Sequence, residues 1–171
     1  MREHISYSEL KTWNECPYKH KLKYVDGTSK FKGNEFTIFG TAIHDTCEKA
    51  VLTGSTEVAS YFMHRYLKEI ESAKSNGVSL RPELLEEMNG QGVNLTPKIL
   101  PSLDERFGSY ELFSTEELLY EEMQDEQVKF KGYIDLVVKS GDTYHIIDWK
   151  TCSWGWDARK KNNKILNYQL V

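Results

Sequence analysis

The sequence predicts an α/β (α+β) domain in which helices pack around a central mixed sheet, and three observations lead there. Up to about residue 75 the apolar residues recur at helical spacing. From about residue 110 three β-rich runs follow one another, divided by short clusters of turn residues. The chain of 171 residues, 39% hydrophobic and 28% charged, has the size and composition of one domain with a real core.

The elements follow in order. "SYSELKTWNECPYKHKLKYVDG" opens with a capping box, Ser6 as cap and Glu9 three residues on, so a short helix carrying Leu10 and Trp13 should follow. Pro17 begins a second, lysine-studded helix that stops near Gly27. "FGTAIHDTCEKAVLTG" is predicted to be a third helix, capped by Thr41 and ended near Gly54. A fourth spans about Ser55 to Lys74, where Val58, Phe62, Tyr66 and Ile70 form an apolar stripe. Residues 76–109 contain Asn76-Gly77, Pro82, Gly90, Gly92, Pro97 and Pro101, so an irregular insertion of loops and short helices such as "PELLEEM" is expected. "TEELLYEEM", "QVKFKGYIDLVV" and "TYHIIDWKT" then form a three-stranded meander, turning at Gln124-Asp125-Glu126 and Ser140-Gly141-Asp142. "WDARKKNNKILNYQLV" reads as a basic loop entering a helix.

No apolar run approaches the roughly 18 residues that span a bilayer, and the charged start is unlike a signal peptide. Cys16, Cys47 and Cys152 are odd in number and form no C-x-x-C pair, which points to a reducing, cytoplasmic setting rather than a disulfide scaffold. The net charge of −4 is uneven: residues 1–32 carry +3, residues 149–171 carry +4, and the stretch between carries −11. If the ends meet they make a basic patch suited to a polyanion, while terminal lysines serving only solubility would explain the same pattern.

The chemistry concentrates in "GYIDLVVKSGDTYHIIDWKT", Gly132 to Thr151. With Gly141-Asp142 as a two-residue type II′ turn, Ser140 faces Thr143 and Asp135 stands opposite Asp148. Facing residues hold their Cβ atoms about 4.5–5.5 Å apart, so two carboxylates there repel and need neutralising. A divalent cation does this economically, since Mg²⁺ is commonly held by one or two carboxylates together with waters and phosphate oxygens. A salt bridge to Lys150, two residues after Asp148 on the same strand face, is the structural alternative. Clustered carboxylates beside a lysine favour the metal.

"GYID" followed after a hairpin by "IIDWKT" resembles the core of the PD-(D/E)XK nuclease superfamily, and specifically its RecB-type branch. "FGTAIH" resembles that branch's Gly-x-x-x-His helix at Gly40 and His44. "SYSELKTWNECPYKHKLKY" resembles its Ser-x-Ser…Cys-Pro…Tyr start, and "NYQLV" the beginning of its Gln-x-x-x-Tyr helix at Gln169. The resemblance implies a restriction-endonuclease-like core in a single nuclease domain, residues 1–171. Residues 1–75 would be its helical part with the histidine, 76–109 an insertion, and 110–171 the sheet and the start of the closing helix. It further implies that His44, Asp135, Asp148 and the backbone carbonyl of Trp149 bind a catalytic metal. Lys150 would orient the attacking water and balance charge on the phosphate, and Gln169 would position Lys150 or the water. An imidazole among oxygen ligands suits Mn²⁺ better than Mg²⁺. Glu117 and Glu121 are secondary candidates, and His4, His20, His64 and His145 are read as structural.

The chain also departs from the family pattern. The family tyrosine would fall two residues beyond Val171, so the closing helix is expected to be cut short, and Cys152 stands where a glycine is usual. Trp154 and Trp156 beside Arg159, Lys160 and Lys161 suit unpaired bases and phosphates, although the tryptophans would equally serve as core. Some RecB-type relatives, including CRISPR-associated adaptation nucleases, carry an iron–sulfur cluster. Its first cysteine would match Cys16, but a cluster needs four thiolates and is not expected within these residues. Cys16 is read instead as a small buried residue.

The resulting expectation is a Mn²⁺- or Mg²⁺-dependent DNA nuclease. It would be an exonuclease acting on single strands or ends, in recombination, repair or phage DNA metabolism, alone or beside a helicase or recombination protein. The competing readings are a non-catalytic DNA- or partner-binding module on a nuclease fold, and a restriction-type endonuclease.

Overall fold

A computed structural model describes residues 3–28, 31–124 and 126–151. A short strand β1 (His4–Ser6) leads into α1 (Tyr7–Glu15) and α2 (Pro17–His20), which runs on as a π-helical turn (Lys21–Val25). The long central helix α3 (Glu35–Thr53), α4 (Ala59–Ser75) and α5 (Pro82–Leu95) follow, then a 3₁₀ turn (Thr96–Lys98) and α6 (Ile99–Phe107). The chain finishes its described course in β2 (Glu111–Glu122), β3 (Lys129–Ser140) and β4 (Thr143–Ile147). The mixed α/β architecture with packed helices is the predicted one.

Ser6 caps α1 as expected, its side chain accepting the Glu9 amide at 3.3 Å. Helix α3 begins earlier than predicted. Asn34 is its cap, in a reciprocal box with Thr37, so Thr41 lies inside the helix. The far end at Gly54 is as predicted. Val58, Phe62, Tyr66 and Ile70 are all buried and form the seam of α4 against α3 and α5.

Residues 76–109 correct the expectation in part. Asn76-Gly77 open a loop over residues 76–81 as expected, but from Pro82 on the glycines and prolines do not break the region, and α5 runs through both Gly90 and Gly92. The reason at Gly92 is close approach: a Cβ there would lie 2.6 Å from Cε2 of Phe62 and nearer still to two other ring atoms. Pro82 and Pro97 occupy first-turn positions, where a missing amide donor costs nothing. Cys16 is likewise exposed rather than buried, and its thiol accepts the Lys19 amide at the start of α2.

Strand β3 is the spine of the sheet. Along one edge β2 pairs antiparallel from Glu122↔Lys129 to Glu111↔Lys139, with a register shift between Leu112 and Ser114. The other edge is shared. Parallel β1 takes Lys129–Lys131, antiparallel β4 takes Leu136–Ser140, and Gly132–Asp135 lie between them without a strand partner among the described residues. The sequence predicted the meander but not β1. The β3–β4 turn is as expected: Ser140 pairs with Thr143, and Gly141 supplies the positive φ of 59°. One face of β3 buries Leu136 and Val138 against Leu103 of α6 and Val51 of α3, which brings α3 over the site-bearing end of the hairpin.

Candidate active site

The hairpin register runs from Ser140↔Thr143 to Leu136↔Ile147, so position 148 is the next across from Asp135. The ladder ends there for a definite reason. The Asp135 carboxylate accepts the backbone N–H of Trp149 at 2.7 Å, so a β3 side chain takes up this amide where the backbone ladder stops. Trp149 packs against both apolar clusters and so is held at the end of the hairpin. Asp148 and Lys150, on either side of it, form a close ion pair, each side chain about two-fifths exposed. Lys150 Nζ also lies 3.5 Å from the Trp149 carbonyl oxygen.

Helix α3 supplies His44, whose Nδ1 is 3.5 Å from Asp135 Oδ2. One turn earlier, Gly40 leaves room for the segment beyond Lys150: a Cβ on Gly40 would stand 3.3 Å from Thr151 Oγ1. The Gly-x-x-x-His spacing therefore has a physical basis. The glycine lets the helix approach the strand end closely, and the histidine one turn on reaches the aspartate.

The third member of the cluster was not anticipated. Glu116 falls between the β2–β3 pairs Thr115↔Leu136 and Glu117↔Ile134, and so stands across from Asp135. Its backbone is left-handed, φ 46°, an arrangement rare for a side-chain-bearing residue. One ligand atom from each of His44, Glu116 and Asp135 lies within 4.8 Å of the other two. Partial burial raises the Glu116 carboxyl above the usual glutamate range, and the negative charges of Asp135 and Glu48 add to this while His44 opposes it. The donor set of one imidazole and two carboxylates, short of positive charge, fits a divalent cation of the Mn²⁺ or Mg²⁺ kind.

The register leads position 148 to a place across from Asp135, as expected, and each aspartate also has partners of its own. Asp135 turns to His44 and Glu116, while Asp148 pairs with Lys150 and lies outside that cluster. The two aspartates still share the wall of one cleft of about 580 Å³, together with Lys150. Glu117 is tied to Ser114 at 2.5 Å, and Glu121 pairs in register with Phe130, five positions along β3 from Asp135. The signal for Glu116 was its register opposite Asp135, readable only once the β2–β3 alignment is known.

His20 bonds Glu9 at 2.7 Å and His145 packs on the Phe107 ring, both consistent with structural roles. Burial pushes the Cys47 thiol up to about 12, helped by Asp135, which makes it an inert part of the core. Gln169, Trp154, Trp156, Arg159, Lys160, Lys161 and Cys152 lie outside the described residues. No helix among the described residues is long and apolar enough to cross a membrane.

No curated protein and no solved structure matches the chain. The family model of the PD-(D/E)XK nuclease superfamily matches residues 4–171, which takes in the helix of His44, the strand of Asp135 and the Asp-x-Lys of Asp148 and Lys150. The chain belongs to the PD-(D/E)XK nuclease superfamily.

Proposed function

We propose that this chain is a metal-dependent deoxyribonuclease of the RecB type, working as an exonuclease on single strands or ends. The observation that carries the reading is the meeting of His44, Glu116 and Asp135 from three elements, with Asp135 also lining the cleft that Asp148 and Lys150 share. In this reading His44, Asp135 and Glu116, together with Asp148 and the Trp149 carbonyl, would hold a divalent cation, Mn²⁺ in preference to Mg²⁺. A bound cation there supplies the positive charge that acidifies a water and polarises a phosphodiester. Asp135 keeps the Trp149 segment in place through the backbone bond, so the carboxylate and the Asp-x-Lys turn move as one unit. Lys150, half-exposed and neutralised by Asp148 at rest, turns to the phosphate and donates to the oxygen on which charge accumulates. Gln169 orients Lys150 or the water in the same reading. Trp154, Trp156, Arg159, Lys160 and Lys161 follow the strand by stacking and phosphate contact. The setting proposed is cytoplasmic recombination, repair or phage DNA metabolism, alone or beside a helicase or recombination protein.

The test is digestion of end-labelled single- and double-stranded DNA with Mn²⁺ or Mg²⁺, comparing the native chain with Asp148→Ala. Asp148 is the chosen position because its removal spares the Asp135–Trp149 bond. The native chain should shorten the label from an end, and the variant should not. Digestion that the variant performs equally would refute the proposed chemistry. Salt-sensitive binding without digestion would assign the fold to a binding role.

A further inference from the structure

We infer that the gap in the sheet edge between β1 and β4 is a subsite for an unpaired nucleobase, a reading that deepens the proposed function and rests on it. The cleft of about 580 Å³ lies within the range of about 300–1,000 Å³ common for small-ligand sites. It opens along the edge of β3 away from β2, where Gly132 to Asp135 have no strand partner among the described residues. Successive residues of a strand turn their amides and carbonyls to alternate edges, so two of these four present hydrogen-bonding groups to the cleft. A base edge uses such donors and acceptors. The rim carries exposed flat or apolar surface from Tyr7, Tyr133 and Ile146, at 48%, 58% and 64% exposure. The Lys131 ammonium stands 5.8 Å from the centre of the Tyr133 ring.

The same cleft has Asp135, Asp148 and Lys150 on its wall. A base stacked on Tyr133 therefore sits next to the groups that would act on its phosphate, with Lys131 as a counter-charge for the strand. A base paired in a duplex cannot enter such a notch, so the site selects single strands and opened ends. Tyr133 is a specificity residue in this account and takes no part in the chemistry.

The experiment measures binding in EDTA, so that no strand is cut. Fluorescence anisotropy of the full chain is read with a labelled hexathymidylate and with the same backbone lacking its bases. Native protein should prefer the strand with bases by about tenfold or more, the scale of one base–aromatic stack. Tyr133→Ala should lose most of that preference. Tyr144→Ala, exposed on β4 but outside the cleft, should keep it. No preference in the native chain, or an undiminished preference in Tyr133→Ala, would overturn the inference. Failure of the nuclease reading is seen separately: a chain with the preference but no digestion loses only its proposed chemistry, and one that digests without the preference loses only the base subsite.

Discussion

Gly92 allows a stringent test because Gly90, two residues earlier in the same helix, serves as its control. Alanine in a helix interior is ordinarily worth about 1 kcal/mol over glycine. At Gly90 nothing stands within 4 Å of the added methyl, so that gain should be realised. At Gly92 the methyl would overlap three atoms of Phe62, the farthest of them only 2.6 Å away. The ring has nowhere to go: Phe62 is fully buried, stacked on Tyr66 at 5.5 Å and edge-on to Phe39 at 5.9 Å. Overpacking of a tight core costs about 1–3 kcal/mol and more where relaxation is blocked, so a net loss of about 3 kcal/mol is expected for Gly92→Ala. In a domain of this size about 1 kcal/mol moves Tm by about 2–4 °C. Thermal unfolding followed by circular dichroism should therefore show Gly92→Ala falling by about 6–12 °C and Gly90→Ala rising by about 2–4 °C. Equal shifts in the two variants would mean that α4 and α5 do not approach closely at Phe62.

Three further outcomes follow from the same geometry. Glu116→Gln should weaken Mn²⁺ binding by about 10–100-fold in calorimetric titration while leaving the unfolding temperature near native, and unchanged affinity would remove Glu116 from the site. Lys150→Ala should lower nuclease turnover by about 100-fold or more yet keep Mn²⁺ affinity, since the ammonium is assigned to the phosphate; weakened metal binding would contradict that role. Hydrogen bonds from Arg81 hold the Glu35 carboxyl below the usual glutamate range despite burial that pushes the other way. A carboxyl depressed in the folded state stabilises the protein above its unfolded pKa and loses that contribution as pH falls through its folded pKa. Glu35→Gln should thus be less stable than native at pH 7, with urea midpoints converging below about pH 4.5; a gap constant with pH would deny Glu35 its charged role.

Much of the fold was legible because its signals are local. The Ser6 cap, the Val58–Ile70 stripe and the Ser140–Thr143 turn each depend on residues within a few positions, and each appears as predicted. The start of α3 was misjudged: Thr41 was read as its cap, and the Asn34–Thr37 box places the start seven residues earlier. Gly90 and Gly92 misled for a different reason. A glycine chosen for close helix contact looks, in sequence, like one chosen to end a helix.

The candidate site divides the same way. His44, Asp135, Asp148 and Lys150 are legible as motif residues through the family resemblance, with the hairpin spacing alone setting Asp148 across from Asp135. What the linear order cannot carry is how those carboxylates partition, since that depends on long-range contacts. The β2–β3 register brings Glu116 opposite Asp135, and the seating of Trp149 in the core draws its amide onto Asp135, while Lys150 takes Asp148. The sheet edge left unpaired among the described residues is likewise a tertiary product, made when β1, from the other end of the chain, stops short of β4. Local chemistry named the residues; only the folded arrangement of distant segments decided which of them share a charge.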